Sequence, residues 1–163
     1  MEVYKINLKS HLRNGESIVL GILVCISFPY ILGYIKDADA KSFIWISIIM
    51  FVVGVLPTVI IHINYYLVNR GDICIYEDGI ITIKHKGAST SFNLEDIDRI
   101  ERHMSFNLAA DRVGFAPWDL YNHSIIYLKD KQRFIITSLL VPNLNLPIEG
   151  ERIFIKRSIY RIA

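Results

Sequence analysis

With 163 residues, the chain has room for one ordinary domain, or for a pair of membrane-crossing helices and one small domain. Hydrophobic residues make up 52% beside 21% charged ones, and mean hydropathy is +0.34, a combination that requires apolar and charged residues to be segregated along the chain. The net charge of +2 is near balance and leaves no electrostatic footprint for nucleic acid.

Residues 1–16 read as a polar N-terminal tail carrying Lys5, Lys9 and Arg13. Residues 17–35 then carry no charge at all, and their 19 residues come close to the ~20 needed to cross ~30 Å of hydrocarbon. A cleaved signal peptide is the rival reading, but the apolar stretch is long for one and no small-x-small site follows it. A polar turn follows instead, Lys36-Asp-Ala-Asp-Ala-Lys41, and leads straight into a second apolar run over residues 42–68. At ~1.5 Å per residue that run exceeds a bilayer, so one end projects. The C-terminal end is the better candidate, because His62, Asn64, Tyr65, Tyr66 and Asn69 gather there and aromatic residues suit a membrane interface.

Pro29 and Pro57 lie inside the two runs and predict kinks. No Asp, Glu, Lys or Arg sits in the middle of either, which argues against a transporter acting alone. As a hairpin, residues 17–68 place both chain ends on one side. Lys5, Lys9, Arg13, Arg70, Lys84 and Lys86 lie on that side, whereas the loop offsets Lys36 and Lys41 with Asp37 and Asp39. The expectation is an integral protein of the inner membrane with both termini cytoplasmic.

From about residue 70 to residue 163 the pattern changes to that of a small β domain. Ile73–Tyr76 and Ile80–His85 flank Asp78-Gly79, a strong signal for a tight hairpin turn. Lys86-Gly87-Ala88 predicts another turn and residues 89–93 another strand. Leu94, Ile97, Ile100 and Met104 have helical spacing, but a short turn running into a strand fits the same residues. Ser124–Leu128 and Arg133–Thr137 form a second hairpin around Lys129–Gln132, and Arg152–Lys156 reads as a last strand. Short strands with tight turns imply a small barrel or two packed sheets.

The strings Ile75-Tyr-Glu-Asp-Gly-Ile-Ile-Thr-Ile83 and Ser91-Phe-Asn-Leu-Glu-Asp-Ile-Asp-Arg-Ile100 resemble bacterial pleckstrin-homology-like (PH-like) domains, as does the later strand–turn–strand pair Ile126–Ile136. The resemblance covers residues 65–138. It implies a partly open seven-stranded barrel closed by a C-terminal helix, often preceded by two transmembrane helices, with no shared catalytic residues and no cofactor. Residues 148–163 depart from that pattern and read as strand. The fold class expected is therefore α+β, a transmembrane helical hairpin followed by a mostly antiparallel PH-like β domain.

Catalytic and metal-binding constellations are weak. His103, Asp111 and His123 match no metal-binding spacing, and Ser105 and Ser124 lie near histidines without a nucleophile elbow. Cys25 and Cys74 read as small apolar packing residues rather than a disulfide. An enzyme is not expected. The segment 105–121 is irregular and rich in aromatics. Phe106, Phe115, Trp118 and Tyr121 with Arg112 suit contact with lipid headgroups or a partner, while the plainer reading is a loop folded over the domain core. The expected partners are the lipid bilayer, together with another membrane protein or a second copy of the chain. The expected function is a membrane-anchored binding or scaffolding module. The alternatives are an accessory subunit of a membrane complex acting through the hairpin and, third, an unrecognised membrane enzyme.

Overall fold

In the computed structural model, residues 1–112, 116–142, 152–157 and 162–163 are described. The chain opens on strand β1 (Glu2–Lys5) and enters helix α1 (Leu8–Lys36). The helix starts at a reciprocal cap: Asn7 Oδ1 accepts from Ser10 N at 3.0 Å, and Ser10 Oγ accepts from Asn7 N at 3.4 Å. It ends at Asp37, whose φ of 49° turns the chain out of the helix. Residues 1–16, expected as a tail, are thus a strand and the first turns of α1. Two polar helix-start residues were enough to extend the helix well upstream of the apolar run.

The second apolar run is one helical rod made of unlike pieces. A 3-10 turn (Ala40–Phe43), capped by Asp39 Oδ1 on Lys41 N at 3.0 Å, leads into α2 (Ile44–Met50). A π-helical segment (Phe51–Val55) follows, and then α3 (Leu56–Asn69). The widened turn has an identifiable cause. Pro57 offers no N–H and its ring would clash with the carbonyl four residues back, at Val53, inside the π segment. Leu56 N–H instead reaches Phe51 O, and Thr58 Oγ1 donates to Gly54 O at 3.0 Å.

Both rods are long and apolar enough to cross a membrane by length and composition, with mean hydropathies of 2.3 and 2.7 over their most apolar windows. Only 17% and 22% of those windows are buried in the molecule. A core helix of a soluble protein would be mostly covered. Here Val19, Leu23, Ile26, Tyr30, Ile31, Trp45, Ile49, Val53 and Ile60 all face outward.

The β domain is two four-stranded sheets rather than a closed barrel. The first has the order β1-β2-β3-β4, with β2 (Ile73–Glu77), β3 (Ile80–His85) and β4 (Ala88–Asn93), all antiparallel. Its edge strand β1 comes from the other side of the helical hairpin, with Glu2 opposite Tyr76 and Lys5 opposite Ile73. The second sheet has the order β7-β6-β5-β8, with β5 (Ile97–Met104), β6 (His123–Leu128), β7 (Arg133–Thr137) and β8 (Ile153–Arg157). Residues 94–104 are a 3-10 turn and then a strand, so the turn-into-strand alternative holds there. The terminal strand pairs parallel to β5, Ile100 opposite Ile153 and Met104 opposite Arg157. The rest of the 148–163 segment, save Arg152 and residues 162–163, lies outside the described residues.

Alternation places Cys74, Ile81, Ile83 and Phe92 of the first sheet against Ile97, Ile100, Ile126, Leu128 and Ile136 of the second. Each fully buried isoleucine contributes roughly 2 kcal/mol through apolar burial. Burial in this core also pushes the Cys74 thiol up to about 11, so it stays protonated. Both cysteines are free.

Two tight turns set the register of the first sheet. Asp78 and Gly79 have φ of 48° and 82°, and Lys86 and Gly87 have 48° and 87°, the all-positive pattern of type I′ turns. Gly79→Val should cost about 1–3 kcal/mol, because a β-branched residue is strained at that φ. Thermal unfolding of the variant checks this, and an unchanged melting temperature would refute it.

Candidate functional site

Where the helices meet the β domain, the same faces that carry the helical pattern carry a polar network. On α3 the buried residues Thr58, Ile61, Tyr65 and Asn69 recur every three or four positions. On α1 Ser10 and Asn14 do the same. Ile61, Tyr65, Tyr121 and Leu139 form a second core, with Ile6, Ile18, Tyr66, Trp118 and Ala163 against it.

Three side chains and one carbonyl link α1, α3 and the loop before β6. His11 Nδ1 lies 3.0 Å from His62 Nε2, and His62 Nδ1 lies 2.8 Å from Tyr121 Oη. Tyr121 O–H donates to Asn14 O at 2.7 Å. A phenol has one proton to give, and Asn14 O takes it. His62 Nδ1–H must then donate to Tyr121, which leaves His62 Nε2 as the acceptor for His11 Nδ1–H. The chain therefore runs one way, and it requires the His62 imidazole to be neutral, with a free lone pair on Nε2. Burial, and secondarily Tyr65, raises the Tyr121 phenol well above its ordinary value and keeps it a donor.

Around this line the contacts continue. Tyr65 Oη is 3.1 Å from His123 Nδ1, and the His123 and His103 rings stack at 4.5 Å. Arg13 Nη2 donates to Ser138 O at 2.9 Å. Asn69, at the end of α3, ties that helix to β7 and Asp72 through four hydrogen bonds. Within the second sheet, between β8 and the middle of β5, Lys156 Nζ sits 2.7 Å from Glu101 Oε2, and its hydrogen bond holds the Glu101 carboxyl below the usual carboxylate range. This is the chemistry of a clamp. It fixes the helical hairpin to the domain through directed bonds.

The structure separates the residues singled out in the 105–121 segment. Tyr121 is fully buried, and Trp118 packs beside it in the junction core. Phe106, on the short helix α4 (Phe106–Ala109), is exposed, and so is Arg112. Phe115 lies outside the described residues. Asp119 organises the loop, accepting from Asn107 Nδ2 at 3.0 Å and Ala116 N at 3.2 Å. α4 rests against β8, whose Phe154 and Ile155 are also exposed beside Lys156 and Arg157. Sequence reasoning missed these β8 residues and the roles of Asn14 and His62. His103 and His123 come together, but Asp111 does not join them. Among the described residues, no group of three or more His, Cys, Asp or Glu side chains is placed to hold a metal.

Compared with known families, the sequence matches the PH domain family over residues 3–147, a span that takes in β1, both helical rods and seven of the eight described strands. No curated protein and no solved structure matches the chain.

Proposed function

Because the chain belongs to the PH domain family, we propose that it is a membrane-anchored binding or scaffolding module at the cytoplasmic face of a bacterial inner membrane. PH-like domains are in general non-catalytic binding modules, which fits the absence of a mechanism-bearing motif in the sequence. One observation carries the membrane reading. Two apolar rods stay largely uncovered by the molecule, yet their polar ends are locked into the β domain. Buried helices of a soluble protein would show the reverse. The excess of Lys and Arg on the side of the chain ends supports the cytoplasmic assignment.

The contacting surface of the domain, in this reading, is the exposed part of the 105–121 segment, Phe106 and Arg112, with Trp118 and Tyr121 holding the loop in place from beneath. A clamped hairpin keeps that surface close to the headgroups, where apolar and cationic side chains suit either an anionic lipid or a partner's juxtamembrane segment.

The test uses the full chain with a reporter fused after Ala163. The reporter should be active in the cytoplasm. Purified in mild detergent, the chain should capture a stoichiometric partner that F106D and R112E remove. A partner that survives those changes but is lost with substitutions at the outward-facing Ile31 and Ile49 would assign the function to the hairpin as an accessory subunit. Reporter activity outside the cytoplasm would overturn the sidedness.

A further inference from the structure

The groove between α1, the π-helical segment and the Pro117–Leu120 turn has a volume of about 530 Å³, within the range of small-molecule sites, and its walls are mostly apolar. The geometry points to this groove as a binding site for one hydrocarbon chain of an amine-bearing phospholipid, with Glu16 taking the amine. The inference rests on the reading of the two rods as membrane spans.

Three features of the groove carry it. First, it is built in. Gly21 lets the rods approach closely, since a Cβ there would come within 3.0 Å of Val55 Cγ2 and 3.5 Å of Pro117 Cγ. Just beside that contact the π turn widens the second rod, and a Cβ at Gly54 would meet nothing within 4 Å. Tight approach next to an opened turn leaves a slot rather than a packed seam. Such turns are frequent at functional sites.

Second, the groove runs along the direction a lipid chain takes. Its lining on α1 extends from Glu16 to Cys25, a rise of about 14 Å at 1.5 Å per residue. Glu16 is the last charged residue before the uncharged stretch 17–35, so it marks the headgroup level, and Val24, Cys25 and Met50 lie at hydrocarbon depth. An apolar slot open to the bilayer at that depth is filled by hydrocarbon, not by water.

Third, the mouth has a charge to satisfy. Glu16 is exposed and makes no ion pair among the described residues, and Ser17 lines the groove beside it. A carboxylate at the interface complements a primary ammonium and repels a purely anionic headgroup.

The experiment is native mass spectrometry of the full chain, purified from membranes that contain both amine-bearing and glycerol-bearing phospholipids. Wild type should retain one phospholipid per chain, enriched in the amine-bearing kind. V24W, which fills the groove, should cut retained lipid at least fivefold, whereas I26W on the opposite face of α1 should leave it unchanged. E16Q should keep a retained lipid but lose the headgroup preference. A wild-type chain that stays in carbonate-washed membranes yet retains no lipid overturns this proposal and leaves the membrane reading standing. A chain released by carbonate overturns both. A dimer mass lost in V24W would make the groove a contact between copies and would also refute the lipid assignment.

Discussion

Replacing Asn69 with alanine should destabilise the protein by about 3 kcal/mol or more. The side chain is buried and uses all of its hydrogen-bonding capacity. Its Nδ2 donates to Asp72 Oδ2 at 3.0 Å and to Ile135 O at 2.9 Å. Its Oδ1 accepts from Thr137 N at 3.0 Å and from Thr137 Oγ1 at 2.8 Å. Truncation strands the buried Thr137 N–H and the partly buried Ile135 carbonyl. Each buried orphan costs about 1–3 kcal/mol, more than the bond itself contributes. A loss of that size lowers the melting temperature of a chain this long by roughly 6–12 °C. Asn69→Asp should fare no better, because it keeps the acceptor, loses the donors and sets a carboxylate beside Asp72. Thermal unfolding of the full chain in detergent checks both. A shift under 2 °C for Asn69→Ala would show that α3 is not anchored through this residue.

Tyr121→Ala should cost about 3–5 kcal/mol, the usual range for deleting a buried aromatic ring. The ring lies edge-on to Tyr65, with centroids 5.8 Å apart, and fills the junction between Ile61 and Leu139. Tyr121→Phe isolates the hydroxyl. It keeps the packing but leaves Asn14 O and His62 Nδ1–H without their partner, a loss of about 1–3 kcal/mol. The same unfolding measurement separates the two contributions. If Tyr121→Phe melts like wild type, the directed His11–His62–Tyr121 chain does not stabilise the junction.

The parts of the fold that were legible in the sequence are those set by neighbours in the chain. Asp78-Gly79 announced its turn because positive φ at two adjacent positions is a local demand that Asp and Gly meet. The two rods were legible because hydrocarbon thickness is a length criterion. The strand β1 was not, and although Arg152–Lys156 read as a strand, the partner of β8 was not legible either: these ladders close onto residues about 70 and 50 positions away, and a four- or five-residue strand carries no mark of its partner. Asn7 and Ser10 could have placed the start of α1, because their spacing is that of a reciprocal helix cap.

The candidate site was partly legible. Composition marked residues 105–121 as a packed or contacting loop, but not which aromatic faces which way. Tyr121 turns inward because its partners, His62 and Asn14, arrive from 59 and 107 residues away. Phe106 stays outward because Ser105 Oγ caps the short turn that follows, accepting from Leu108 N at 2.9 Å, and fixes its direction locally. His11 and His62 join a network that their positions in the chain do not announce, for the same reason. Each finds its partner only when two helices and a sheet are brought together.

If the two apolar rods hold this PH domain protein in a bilayer, as we propose, alkaline carbonate extraction of membranes from cells producing the full chain should leave it in the membrane pellet, to be released only when detergent is added. Recovery of the folded chain in the carbonate supernatant would show that the rods do not anchor it.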